Sequence, residues 1–122
     1  MGDRAVIVVA DKNGHSPGAY VHWSGSRVVE LLKGAIPGMR CGDYSYSLAR
    51  LVGHLHMEIS GDNLGLGVYA GPVDLKPRTL EEYSPGDAGV LVYHCGTGRL
   101  NCYGGYLEDE YPNGLDLAVP PG

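Results

Sequence analysis

Leu48, Leu51, Val52, Leu55 and Ile59 recur at the spacing of one helix face, and this stripe constrains the fold more than any other feature. A helix carrying it must bury it against a second layer. Asp43 stands where an N-cap belongs, and "SGDNLG" at 60–65 supplies the stop. Asp43, Ser47, Arg50 and His54 fall on the opposite, polar face. A shorter helix precedes it, with Val28, Leu31, Leu32 and Ala35 as its stripe and Ser24 or Ser26 placed to cap it. "IPG" at 36–38 ends that helix, because Pro37 biases Ile36 away from helical backbone.

The rest of the pattern is β. "RAVIVVAD" (4–11) and "AYVHWS" (19–24) read as a hairpin, joined by the turn-rich "DKNGHSPG". Period-two alternation sends Val21 and Trp23 one way and Tyr20 and His22 the other. "LGVYAG" and "AGVLVYHC" are further strands, and "LNCYGGYL" pairs back on the second of them. The intervening "PVDLKPRTLEEYSPGD" reads mainly as a loop, with room for a helical turn at 79–83. The order ββααβββ predicts an α+β fold, a mainly antiparallel sheet with two helices on one face. A single domain is expected over 1–107, followed by an acidic Pro/Gly-rich tail over 108–122.

Size and charge narrow the function. A chain of 122 residues suits one domain with a real core. The longest apolar run, Ala5–Ala10, is strand-length and far short of a membrane helix. "MGDRAVIVV" puts an acid before its apolar run and lacks a small-residue cleavage site, so the expected location is the cytoplasm. The net charge of −5, with the nine basic residues scattered, argues against a nucleic-acid partner. Tyrosine supplies the aromatic surface: there are nine, against one tryptophan and no phenylalanine.

Three cysteines without a signal peptide suggest reduced thiols. A two-residue turn at Gly98-Arg99 would pair 97 with 100 and set Cys95 opposite Cys102, leaving reduced core thiols, a disulfide or a soft-metal pair all open. Cys41 is left over.

Four constellations could carry chemistry. At the strand–helix corner, Tyr20 or Trp23 could stack on a ligand, His22 could make a polar contact, and the helix start at Ser24–Ser26 could receive an anion. The competing reading makes Trp23 a core anchor and leaves His22 on an open sheet face. Arg50 beside Asp43, Ser47 and His54 could hold a carboxylate or phosphate, or simply be a solvated helix face. Cys41 ahead of a helix, with His94 on a later strand and Asn101 or Asp87 to orient it, follows the chain order of a cysteine hydrolase; a small hydrolase could use His22 in place of Cys41. No metal is expected: His54 and His56, two apart on a helix, point about 200° from each other and cannot chelate one ion. Nor is a cofactor, since "SGDNLGLG" and "SPGDAGV" lack the phosphate-loop, dinucleotide-loop and calcium-loop patterns.

Taken together, Tyr20, His22, Trp23 and Gly25, then Asp43 and Tyr44, Ala49 and Arg50, and finally Gly86, Asp87 and Gly89 form a Tyr-x-His-Trp-x-Gly … Asp-Tyr … Ala-Arg … Gly-Asp-x-Gly pattern. This pattern resembles a family of small uncharacterised proteins encoded by bacteriophages and prophages, over roughly residues 4–106. The resemblance implies a phage or mobile-element accessory protein acting in the host cytoplasm by binding, with counter-defence among its roles. Its partner would be a host or defence protein or a small anionic ligand, bound through Tyr20, His22, Trp23, Asp43, Tyr44 and Arg50. Two alternatives stand beside it. One is a small cysteine hydrolase using Cys41 and His94; the other is a structural homo-oligomer in which an exposed Ala5–Val9 edge pairs with a second copy.

Overall fold

The N-terminal apolar run forms β1 (Ala5–Asp11), and it is apolar from Ala5 to Ala10 because both faces of the strand are buried. In the computed structural model, which describes residues 2–59, 61 and 63–121, β1 pairs antiparallel with β2 (Gly14–Val21) and parallel with β4 (Gly89–His94). The other strands are β3 (Gly67–Tyr69), β5 (Arg99–Tyr103) and β6 (Leu115–Asp116), in the spatial order β3-β2-β1-β4-β5-β6. The fold is α+β and four of the five strand pairs are antiparallel, but the sheet is mixed, because Ala5 aligns with Gly89 in a parallel pair. The order of elements is ββααβαββαβ where ββααβββ was expected. The Ala5–Val9 run is therefore central and presents no edge to a second copy.

Four helices pack on this sheet, where two were expected. α1 (Val28–Ala35), α2 (Tyr44–Glu58) and Leu107 of α4 (Tyr106–Glu110) cover one face, burying Ala5, Ile7 and Val9. α3 (Pro77–Tyr83) covers the other, where Leu80 meets Val6, Val8, Val90 and Val92. The connection read as a loop thus holds a two-turn helix. Pro77 occupies its first turn, where a missing N–H costs nothing, and one buried leucine docks it. So short a stretch shows no helical period of its own.

Local signals fared unevenly. Asp43 caps α2, accepting from the Tyr46 N–H at 3.1 Å. Neither Ser24 nor Ser26 caps through its side chain; a 3-10 turn over Gly25–Arg27 leads into α1 instead. Ser47 is fully buried, and not on an open polar face. The β4–β5 hairpin pairs His94 with Arg99 and Tyr93 with Leu100, so Cys102 lies opposite Leu91 and away from Cys95. All three thiols are free, and the neighbours of Cys95 are Cys41 and Ser47.

Residues 108–121 join the fold. β6 pairs with β5, the Leu117 N–H donates to Gly98 O at 2.8 Å, and the Tyr93 hydroxyl donates to Ala118 O. No helix among the described residues is long and apolar enough to cross a membrane.

Candidate functional site

The β2–β3 register builds one wall of a cleft. Tyr20 stands opposite Gly67 and Tyr69 opposite Gly18. With no side chain directly across from either ring, the two tyrosines lean along the diagonal and stack, centroids 4.6 Å apart and planes 9° from parallel. Gly18 is obligatory for a second reason: a Cβ there would strike Val6 and the Tyr83 hydroxyl.

Beyond Val21 the strand ends, and His22 and Trp23 turn out of the sheet. The His22 ring meets the indole edge-on, at 4.7 Å and 82°. The Trp23 indole lies on the backbone of Gly65, where a Cβ would come within 2.8 Å of two ring carbons. Trp23 is 47% exposed, so it is not the core anchor that alternation with Val21 would make it. Tyr20, His22, Trp23 and Tyr69, with the 64–67 segment, line an open cleft of about 530 Å³. That is the size of a small-molecule site.

The polar groups of this corner are held in place. The Tyr20 phenol, kept protonated by burial and by its neighbour Tyr69, lies 2.6 Å from His22 Nδ1. Assigning the phenol as donor makes Nδ1 the acceptor and leaves the proton on Nε2. Beneath them, the Asp3 N–H donates to His22 O at 2.7 Å. The two carboxylate oxygens of Asp3 accept from the Tyr106 hydroxyl at 2.6 Å and the Ser26 N–H at 2.8 Å. Gly25 packs so closely on Asp3 and Ala88 that no Cβ fits. Arg4 donates to Asp87, and its guanidinium holds the Asp87 carboxyl below the usual carboxylate range. Asp87 is the one non-glycine residue with positive φ among the described residues, at 53°.

Of the sequence-predicted site residues, Tyr20, His22 and Trp23 come together here, and Asp43, Tyr44 and Arg50 do not. The Tyr44 ring rests against Gly14, at the far end of β2 and about 20 Å of strand from Tyr20. Asp43 is engaged as the α2 cap, and Arg50 lines a separate cleft with Arg40 and Tyr46. Tyr69, Gly65 and Arg4 were not singled out in the sequence. The alternating Gly65-x-Gly67-x-Tyr69 was the available signal, but only the strand pairing gives it meaning.

The cysteine hydrolase finds no geometry. Along β4, Tyr93 and Cys95 face the α1–α2 core, while Val90 and Val92 face α3, and alternation places His94 with the latter. Cys41 neighbours Cys95 and Tyr93, so the sheet stands between Cys41 and His94. Burial also pushes the His94 imidazole below its ordinary pKa and lifts the Cys95 thiol to about 12.

Compared with protein-family models, with curated proteins and with solved structures, the chain matches none.

Proposed function

We propose that this protein is a non-enzymatic binding module that receives a planar group in the cleft between Tyr20, Tyr69, His22 and Trp23. One observation carries the reading: the chain's single tryptophan is left half exposed over a cleft whose wall is already a tyrosine stack. An indole in that position costs solvation unless something covers it, and its face offers stacking to any ring. The Arg4–Asp87 pair and the Asp3 bonds fix the corner, so little ordering is left for the moment of binding. The phage-accessory role, with a host or defence partner, is part of the same proposal and rests on the motif resemblance.

The test begins with native mass spectrometry of protein purified from a bacterial host. Excess mass on the native subunit, lost on denaturation and absent from Trp23→Ala, is the expected result. If no mass is retained, Trp23 emission is titrated with nucleosides and with tryptophan- or tyrosine-containing peptides. An emission unmoved by all of them, together with no retained mass, overturns the reading.

A further inference from the structure

A second site lies away from the Trp23 cleft, on α2 and the segment that precedes it. Arg40 and Arg50 both address the ring of Tyr46: their guanidinium carbons lie 4.2 Å and 5.1 Å from its centroid. Arg50 Nε also donates to the Tyr46 hydroxyl at 3.0 Å. These three side chains line an open cleft of about 520 Å³ together with Pro37, Gly38, Met39 and Pro121.

Two unpaired arginines share one ring here, whereas the other basic residues without an ion pair among the described residues, Lys12, Arg27 and Lys76, are not gathered on an aromatic ring. Acids outnumber Lys and Arg by 14 to 9, and Arg4, Lys33, Arg78 and Arg99 each pair with a carboxylate. Among the described residues, no carboxylate lies within ion-pair reach of Arg40 or Arg50. Two guanidinium groups gathered on one ring repel each other, and an anion between them relieves that repulsion. The pair is also pre-positioned. The buried Ser47 hydroxyl accepts from the Arg40 N–H at 3.0 Å and donates to Arg40 O at 2.9 Å, which fixes the Arg40 backbone to the helix that carries Tyr46 and Arg50. The planar forks of two arginines present parallel N–H groups, the geometry that suits phosphate oxygens.

We infer that Arg40, Tyr46 and Arg50 form a binding site for the phosphate group of a small phosphorylated molecule. The site differs from the one expected from sequence, which joined Arg50 to Asp43, Tyr44 and the Trp23 corner. Its partner residues are Arg40, some ten positions upstream, and the aromatic ring that both arginines share.

Inorganic pyrophosphate is the probe, titrated into the full chain by calorimetry at low and at moderate salt. Wild type is expected to bind, with affinity falling as salt rises, and Arg40→Gln and Arg50→Gln are each expected to weaken binding about tenfold or more. Arg50→Lys, which keeps the charge but loses the fork, should fall between wild type and Arg50→Gln. Arg78→Gln, on α3, should leave binding unchanged. No binding by wild type overturns the inference, as does an equal loss in Arg78→Gln, which would mark the effect as net charge alone. Circular dichroism of each variant confirms that the fold is retained. Trp23 emission in the same samples reports the other cleft independently.

Discussion

Arg4 donates twice to one carboxylate oxygen of Asp87, from its backbone N–H at 3.1 Å and from Nε at 2.9 Å, across 83 residues of chain. The contact joins the start of β1 to the turn before β4, where the parallel pairing begins. It also stabilises Asp87 in left-handed backbone, which a short side chain that bonds locally tolerates better than a bulky one.

This pair makes stability depend on pH. The folded-state pKa of Asp87 is lowered, so its contribution is present above the unfolded value of about 3.9 and is lost as pH falls through the folded value. Asp87→Asn keeps the shape and the tolerance for positive φ but removes the charge. Thermal melts between pH 2.5 and 6.5 should show wild type more stable than the variant at the upper end, with the gap closing below about pH 4. A gap that stays constant over the range would refute the assignment.

Gly65 is the platform for the exposed indole. A methyl there would fall 2.8 Å from the ring, so Gly65→Ala should displace Trp23 and redden its emission without unfolding the protein. Whatever binds the cleft should be lost with it. An unchanged emission spectrum would show that the indole does not rest on this segment.

Leu80 separates a docked helix from a surface loop. It is fully buried against Val6, Val8, Val90 and Val92, so Leu80→Ala should cost about 2–5 kcal/mol in urea unfolding. A cost under about 0.5 kcal/mol is what an exposed loop residue would give, and would contradict the second core.

The thiols provide a register test. Burial lifts Cys95 to about 12 and Cys102 to about 11, and Cys41 alone is exposed. At pH 8 iodoacetamide should add one label to the native protein and three in denaturant, read by intact mass. One label in denaturant without reductant, rising to three with it, would reveal a labile pair that this structure does not contain.

The elements legible in advance are those whose signal lies within a few residues. The β1 run, the stripes of α1 and α2 and the Asp43 cap each follow from periodicity or from one side chain serving a helix end. α3 was half-visible, because seven residues with one buried leucine carry too little pattern to stand out from a proline-bearing loop. Cys95 does not face Cys102 because the turn is longer than a two-residue Gly98-Arg99 turn: β4 ends at His94, β5 begins at Arg99, and residues 95–98 connect them.

The sequence by itself determined the fold class, the apolar N-terminal strand, the helices α1 and α2 and the adjacency of Tyr20, His22 and Trp23 at a strand end. Only the tertiary structure decided that β1 and β4 run parallel, that α3 builds a second core, and that Tyr69 completes the Trp23 cleft while Arg50 serves another one with Arg40. The reason is physical. Local spacing specifies which face of an element is apolar, but the partner that covers that face is selected by contacts between residues far apart in the chain, and periodicity carries no record of them.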